Sequence, residues 1–232
     1  GRPMDSARAP DVSIIIVHYH AAAYLEKCLR SVHAHAGGLS FEIIIVDNGS
    51  REGELAALGR TYPGMKILSN SENMGFVAGN NQGIDASTAD VLLLLNPDAE
   101  LTEGALETLH AYLRRHPSCG AVGPQLVYPG GKPQHSHFPF PGIVSLTVEH
   151  LLSAKLMRLT ESVGTLVPRT RAVDVIRGTC IMTTRQTMQR VGGLNRKLFM
   201  FSEETDFCFK VRKLRMECVF LPAARVVHHE SR

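Results

Sequence analysis

The hydrophobic positions of this chain form short continuous runs that alternate with segments of helical periodicity. Apolar runs predict strands at residues 12–17, 41–46, 66–68 and 91–95. The Val-Leu-Leu-Leu-Leu run at 91–95 has no polar alternation, which is typical of a strand covered on both faces in a parallel sheet, although periodicity alone also fits a buried helix. Pro97 favours the strand, because proline pushes the preceding residue out of helical geometry.

Helices are predicted between these runs. Leu25, Cys28, Leu29 and Val32 follow the i, i+3, i+4, i+7 spacing of one amphipathic helix. Further helices are expected at 52–60 and 76–86, and after Thr102 as N-cap, with Leu106, Leu109 and Leu113 on the inner face. Strand and helix thus alternate through residue 116, which predicts right-handed βαβ units: one α/β domain with a Rossmann-like, mostly parallel central sheet flanked by helices.

The second half of the chain has a different pattern. A loop-rich excursion is expected after residue 116, where prolines recur at Pro124, Pro129, Pro133, Pro139 and Pro141. Residues 143–159 are expected to form a helix that packs on the core, covers the site, meets an acceptor or touches a bilayer. Strands around 176–183 and 218–221 should flank a helix starting near Glu204. Residues 1–11 are interpreted as a disordered leader or tag remnant.

Composition places the chain among ordinary globular proteins. It has 232 residues, 44% hydrophobic and 20% charged, which suits one large domain. Neither a run of about 18 apolar residues nor a signal-peptide pattern occurs, so a cytoplasmic location is expected. Five cysteines without a Cys-x-x-Cys spacing predict buried thiols rather than disulfides or a zinc site.

Positive charge is concentrated in the C-terminal third. Residues 155–232 carry 15 of the 25 Lys and Arg residues but 7 of the 22 Asp and Glu residues. Such a balance suits phosphate groups or peripheral contact with the inner face of an anionic membrane. A solvated helix face around Lys210 to Arg215 explains it equally well. Nucleic acid is not expected as a partner, since aromatic stacking residues are not interleaved with the charges.

Polar side chains follow several predicted strands at the point where each strand ends. Tyr19, Asp47 and Asp98 each lie within three residues of the end of an apolar run, and His228 follows a later one. Because parallel strands bring their carboxyl ends to one edge, these groups can converge there. Asp47 is placed to accept hydrogen bonds from a ribose or base, or else to stabilise its own turn.

Two further clusters are candidates for ligand contact. Asn73, Gly75 and Asn80 surround a glycine-punctuated helix start, where backbone can approach a phosphate or sugar. Glu203, Glu204 and Asp206 form an acidic cluster, which either occupies the first turn of a helix or serves a cation or donor network.

The ordered set of motifs resembles one family over nearly the whole chain. It comprises the strand at 12–17, Val46-Asp47-Asn48-Gly49-Ser50, Asn73-Met74-Gly75-Phe76, Asn96-Pro97-Asp98, Val191-Gly192-Gly193, Phe199-Met200-Phe201 and Pro222 to His229. These motifs are similar to those of the inverting family two glycosyltransferases of GT-A fold, in the branch containing many bacterial rhamnosyltransferases. The resemblance implies a GT-A domain over 12–232, with a nucleotide-binding half at 12–116 and an acceptor-binding half at 117–232.

The resemblance also implies roles for individual residues. Asp98, in the Asn-Pro-Asp form of a DXD motif, and His228 would bind Mg²⁺ or Mn²⁺, and Glu204 would be the catalytic base. Asp47 would contact the nucleotide, and the remaining predicted nucleotide-sugar contacts are Tyr19, Asn73, Gly75, Asn80, Asn96 and Glu203. Three positions depart from the family pattern: His20 replaces Asn, Glu204 replaces Asp, and Leu194-Asn195-Arg196 replaces Phe-Asp-Glu.

These expectations amount to a metal-dependent inverting glycosyltransferase of cell-surface polysaccharide synthesis. The donor would be a dTDP-, UDP- or GDP-linked sugar, with rhamnose as one candidate, and the acceptor a saccharide or lipid-linked sugar. A cation absorbs charge on a departing diphosphate, and a carboxylate accepts the acceptor proton. A non-catalytic sugar-nucleotide or carbohydrate-binding module is the alternative, and a nucleotidyltransferase ranks third.

Overall fold

Alternating side chains of the central strands fill both faces of one sheet. In the computed structural model, which describes residues 9–51, 53, 55–141 and 169–230, Ile14 and Ile16 pack in one hydrophobic cluster. Ile15 and Val17 pack in a second cluster on the opposite face. This two-sided burial explains the continuous apolar runs and confirms the predicted α/β architecture.

The first half contains four parallel strands and their helices. The strands are β1 (Val12–His18), β2 (Phe41–Asp47), β3 (Lys66–Ser69) and β4 (Val91–Leu95). The helices are α1 (Ala22–His35), α2 (Ala56–Thr61), α3 (Phe76–Ala86) and α4 (Ala105–Arg115). The predicted helix at 52–60 is therefore shorter and shifted, whereas those at 76–86 and around Leu25 to Val32 are confirmed.

The second half supplies the remaining strands and two helices. The strands are β5 (Ala99–Leu101), β6 (Cys119–Val127), β7 (His137–Phe138), β8 (Arg171–Val173), β9 (Val175–Ile176), β10 (Cys180–Thr184) and β11 (Glu217–His228). The helices are α5 (Arg185–Val191) and α6 (Glu203–Lys213). The main sheet has the order β3-β2-β1-β4-β10-β6-β11-β5, with β8 beside β11, and β7 pairs with β9 separately.

The sheet is mixed rather than wholly parallel. β10 runs antiparallel to both β4 and β6, while β6 and β11 are parallel to each other. β5 pairs antiparallel with the end of β11. A mostly parallel sheet is therefore confirmed, with antiparallel strands inserted where the two halves of the chain meet.

Two predictions about local structure are wrong. Thr102 does not cap α4, because its hydroxyl donates to the Arg225 carbonyl at 2.8 Å and the N-cap is Gly104 in left-handed geometry. The loop expected after residue 116 begins instead with β6, a nine-residue strand buried throughout. The helix expected at 143–159, with its core, acceptor and membrane alternatives, lies outside the described residues, as does most of the 1–11 leader.

Helix α3 packs unusually close to β1. A Cβ placed on Gly79 would lie 2.9 Å from the Val17 side chain, and one on Gly83 would collide with Ile15. The two glycines therefore allow α3, and the loop before it, to approach the ends of β1 and β2.

All five cysteines are buried and free, as predicted. Within the described part of the chain, no helix has the length and apolar character needed to cross a membrane.

Candidate active site

The turns after β1 and β2 are held together at the same edge of the sheet. Asp47 lies opposite His18 in the parallel register, and Asn48 donates its backbone N–H to the His18 carbonyl at 2.9 Å. Asp47 Oδ1 accepts the Ser50 N–H at 3.0 Å, and Ser50 Oγ accepts the His20 N–H at 3.0 Å. One Asp47 oxygen therefore stabilises its own turn, and Tyr19 is about half exposed beside it.

A chain of amides fixes the loop before α3 against these turns. Buried Asn48 donates through Nδ2 to the Gly75 carbonyl at 3.0 Å and accepts from Asn70 Nδ2 at 2.9 Å. Asn73 Oδ1 accepts the Gly75 N–H at 3.0 Å. The structure thus places Asn73 and Gly75 next to the end of β2.

Asn80 occupies a different environment. It is 1% exposed, and its Nδ2 donates to the Phe76 carbonyl at 2.9 Å within α3. Its side chain is therefore engaged in the first turn of the helix. Among the predicted contacts with the nucleotide-sugar donor, the contact of Asn80 is the least favoured.

The Asn-Pro-Asp turn follows β4 and enters β5 directly. Asn96 donates its N–H to the Thr179 carbonyl at 2.9 Å. Its side-chain Oδ1 is buried and has no hydrogen-bond partner among the described residues. Asp98 is also buried, at 7% exposed. A buried amide oxygen without a donor is costly unless a ligand satisfies it, which marks this turn as a binding position.

Pairing between β5 and β11 brings His228 to Asp98. His228 lies opposite Ala99, and its Nε2 is 3.6 Å from Asp98 Oδ1. The other ring nitrogen, Nδ1, is 2.9 Å from Gln134 Oε1. Burial lowers the pKa of His228, which favours the neutral imidazole that metal binding requires.

His229 points to a different set of neighbours. Its Nε2 pairs with Glu100 Oε1 at 2.5 Å, and its ring lies 5.4 Å from that of Tyr24. Alternation along β11 therefore separates the two histidines and leaves His228 with Asp98.

The acidic cluster forms the first turn of α6, as one of the two sequence interpretations proposed. Asp206 pairs with Lys210 at 2.7 Å and accepts from Asn195 Nδ2 at 3.4 Å. Glu203 is 8% exposed, and one oxygen of Glu203 and one of Glu204 are buried without a partner in the described chain. Burial, together with the Glu204 charge, raises the pKa of Glu203 to about 7.

The turn between β9 and β10 connects this acidic pair to the Asn-Pro-Asp turn. A Cβ placed on Gly178 would lie 3.4 Å from Glu203 Oε1 and 3.6 Å from Glu204 Cδ. The next residue, Thr179, accepts the Asn96 N–H. Gly178 and Thr179, which no sequence motif singled out, therefore bridge the predicted base and the predicted metal motif.

The loop before α6 contacts the loop before α3. Val77 donates its N–H to the Phe199 carbonyl at 3.3 Å, and Phe201 and Ser202 both have left-handed φ angles, of 68° and 66°. Strained backbone of this kind persists only where surrounding contacts hold it, and it concentrates at functional sites.

The donor atoms at the Asn-Pro-Asp turn fit a divalent cation. No group of three or more His, Cys, Asp or Glu side chains suited to a metal occurs in the described residues. Asp98 and His228 instead form a close pair at this turn, two residues after Asn96, whose buried amide oxygen has no partner among the described residues. Mg²⁺ commonly uses one or two protein carboxylates and completes its shell with substrate phosphates and water, which suits this small set.

Comparisons with known proteins identify the family of this chain. The family model described as "Glycosyl transferase family 2" matches residues 13–177. An N-acetylglucosaminyl-diphospho-decaprenol L-rhamnosyltransferase of Mycobacterium tuberculosis is 26% identical, over 94% of this chain and 76% of the relative. A low-salt glycan biosynthesis hexosyltransferase of Haloferax volcanii, Agl10, is 25% identical over 95% of this chain and 67% of the relative.

Two solved structures share the fold. GalNAc-T7 with UDP, GalNAc and Mn²⁺ superposes with a TM-score of 0.74 at 16% identity, covering 97% of this chain and 44% of that one. The mannosyltransferase PcManGT of Pyrobaculum calidifontis, with GDP-Man and Mn²⁺, gives 0.68 at 18% identity, covering 100% and 61%. The chain therefore spans less than two thirds of either structure. Together with the family match, the GT-A architecture places this chain in glycosyl transferase family 2, as a glycosyltransferase domain.

Proposed function

We propose that this chain catalyses metal-dependent, inverting transfer of a sugar from a nucleotide-diphosphate donor to a saccharide or lipid-linked acceptor in cell-surface polysaccharide synthesis. The observation that carries the proposal is the convergence of two groups across the β9–β10 turn. Asp98, His228 and Asn96 lie on one side, and Glu203 and Glu204 on the other. This arrangement sets a candidate diphosphate site beside a candidate base.

The donor would lie along the edge formed by the ends of β1, β2 and β4. Asp47 and Tyr19 would contact the nucleoside, and Asn73 and Gly75 the sugar-phosphate portion. Asp98 and His228, with Asn96 beside them, would hold Mg²⁺ or Mn²⁺ near the diphosphate. When bound, such a cation stabilises the negative charge that develops on the leaving group.

Glu204 would accept the proton of the attacking acceptor hydroxyl. Glu203, whose pKa is raised to about 7, is about half protonated at neutrality and can share its proton with the neighbouring carboxylate. A proton held between the two acids lowers the repulsion between them. Attack from the face opposite the leaving group inverts the anomeric carbon in one displacement, so no covalent nucleophile is needed.

The relatives support the sugar and acceptor classes. The mycobacterial relative is named as a rhamnosyltransferase acting on a diphospho-decaprenol-linked sugar. Rhamnose from dTDP-rhamnose and a lipid-diphosphate acceptor are therefore the first substrates to test, with UDP- and GDP-sugars beside them. Peripheral contact with the inner face of a membrane would follow from such an acceptor.

The direct test is binding of nucleotide diphosphates by calorimetry, with and without Mn²⁺, followed by turnover of the matching sugar donor. Wild-type protein should bind one base class in a Mn²⁺-dependent manner, and Asp98→Ala should abolish that dependence. Glu100→Gln is the matched control, because Glu100 is a nearby acid engaged with His229. Equal binding with and without Mn²⁺ would refute the metal assignment, and binding without transfer to any acceptor would favour a non-catalytic module.

A further inference from the structure

Gln134 contacts His228 through both the nitrogen and the oxygen of its side-chain amide. It lies between β6 and β7 and is 4% exposed. Its Nε2 donates to the His228 carbonyl at 2.7 Å, while its Oε1 is 2.9 Å from His228 Nδ1. No sequence motif singled out this residue.

These two contacts determine the tautomer of His228. A backbone carbonyl can only accept, so the amide end that faces it must be the nitrogen. Oε1 therefore faces Nδ1, and because that oxygen can only accept, Nδ1 must carry a hydrogen. In the neutral imidazole the lone pair is then on Nε2, the atom that lies 3.6 Å from Asp98 Oδ1.

Gln134 is itself firmly anchored. Its N–H donates to the Leu126 carbonyl at 2.8 Å at the end of β6. Its own carbonyl accepts from Gln125 Nε2 at 2.9 Å and from Ser136 Oγ at 3.1 Å, and both of these residues are buried. These three bonds hold the backbone of Gln134, and together with the burial of the residue they fix the position from which its side-chain amide orients the His228 ring.

In this orientation of the His228 ring, the lone pair of Nε2 faces Asp98 Oδ1. A lone pair on Nε2 and an oxygen of Asp98 are both electron-pair donors, and both are buried. Such atoms are stabilised together by a cation between them. A ligand His commonly uses its second ring nitrogen to donate to a carbonyl, carboxylate or water, and here the side-chain amide oxygen of Gln134 fills that role.

We propose that Gln134 is a positioning residue that holds His228 as the Nδ1–H tautomer and aims Nε2 at the cation shared with Asp98. The inference rests on the proposed metal-dependent function. It assigns a role to the segment between β6 and β7, in the half of the chain expected to bind acceptor.

The variants separate the hydrogen bond from general packing. Gln134→Met removes both amide contacts at similar size, whereas Gln134→Glu keeps an acceptor for Nδ1–H. Glu42→Met is the control, since Glu42 also accepts side-chain hydrogen bonds, from Ser13 Oγ and from Thr88 Oγ1 at 2.8 Å, but at the amino end of β2, away from His228 and from the candidate site. Urea unfolding identifies which variants are folded.

Two measurements test the proposal without turnover. Calorimetry with Mn²⁺ in the presence of UDP or dTDP should give about 10- to 100-fold weaker Mn²⁺ binding for Gln134→Met and unchanged binding for Glu42→Met. Gln134→Glu, which keeps the acceptor for Nδ1–H but loses the bond to the His228 carbonyl, should be weakened less than Gln134→Met. Long-range ¹H–¹⁵N NMR of the metal-free wild type should show the Nδ1–H tautomer of His228, and Gln134→Met should show a mixture.

The outcomes distinguish this inference from the proposed function. If folded Gln134→Met binds Mn²⁺ as tightly as wild type does, the role given to Gln134 is overturned and the proposed function stands. An Nε2–H tautomer in wild type would overturn it even if every variant misfolds. Failure of wild type to bind Mn²⁺ with any nucleotide would refute both the metal-dependent function and the role given to Gln134.

Discussion

Substitution of Gly75 by alanine should disturb both the loop before α3 and the loop before α6, which leads to the candidate base. Gly75 has φ 87° and ψ 162°, a conformation that is essentially restricted to glycine. A Cβ there would lie 2.6 Å from Phe199 Cδ2 and 2.7 Å from the Phe199 carbonyl oxygen. The second contact is with backbone, so rotation of the Phe199 side chain cannot relieve it.

The expected loss of stability in Gly75→Ala has two separate contributions. The backbone conformation costs about 1–3 kcal/mol for a residue with a side chain. The overpacking adds about 1–3 kcal/mol, because the Phe199 carbonyl has to move by several tenths of an ångström to reach ordinary contact. We therefore expect Gly75→Ala to lower the free energy of unfolding by about 2–6 kcal/mol.

Gly104→Ala isolates the backbone contribution. Gly104 is also in left-handed geometry, at φ 71° and ψ −2°, but nothing lies within 4 Å of a Cβ placed there. This variant should lose about 1–2 kcal/mol and retain turnover, since Gly104 caps α4 and has no part in the candidate site.

The assay is urea unfolding of both variants, combined with turnover of the folded fraction under saturating donor. Because Phe199 leads through two strained residues into Glu203, displacement of its backbone should reduce turnover by about 10²-fold in Gly75→Ala. Equal losses of stability in the two variants, or unchanged turnover in Gly75→Ala, would refute the coupling between the two loops.

Three further changes give measurable outcomes. Glu204→Gln should keep Mn²⁺-dependent donor binding by calorimetry but reduce turnover by about 10²- to 10⁴-fold, because it removes the proton acceptor; wild-type turnover would exclude Glu204 as base. Since the pKa of Glu203 is raised to about 7 in the folded state, wild-type protein should lose about 2 kcal/mol of stability relative to Glu203→Gln as the pH rises from about 4.5 to 7. Parallel pH profiles of unfolding would contradict this. Asn81→Ala should cost about 2–4 kcal/mol in urea unfolding, because Asn81 satisfies both the N–H and the carbonyl of buried Leu194 at 3.0 Å; a cost below 1 kcal/mol would argue against that bridge.

The first half of the fold was predictable because its strands are buried on both faces. Residues such as Ile14 and Ile15 have to be apolar on alternate sides, so β1, β2 and β4 are visible as unbroken runs. Strand β6 was missed because its composition suggests a loop. Gly120 and Gly123 are there because Val211 and Ile176 occupy the space of a Cβ.

Pro124 is the other misleading residue in β6. It pairs with Leu221 at the point where the register with β11 shifts, so its missing N–H falls at an irregularity in the ladder. Propensity alone assigns such a residue to a loop, and only the tertiary pairing makes it acceptable in a central strand.

The residues of the candidate site that belong to a sequence motif were predictable. The residues that join the site only through long-range contacts were not. Asp98, Glu204 and His228 were proposed from their motifs, and the structure brings them to one edge of the sheet. Gln134, Gly178 and Thr179 are identified by long-range pairing, such as the bond from Gln134 to a carbonyl 94 residues away. A single sequence carries no local signal for such contacts.

Strand direction explains why the later half of the chain can complete the site. In a parallel sheet only the carboxyl end of a strand reaches this edge, but an antiparallel strand brings its amino end there. Since β10 is antiparallel to β4 and Cys180 pairs with Leu95, Gly178 and Thr179 enter the edge beside Asn96. Glycine at 178 then leaves room for the Glu203 and Glu204 carboxylates at that point. The antiparallel insertion therefore brings the acidic start of α6 and the Asn-Pro-Asp turn after β4 to the same turn of the chain.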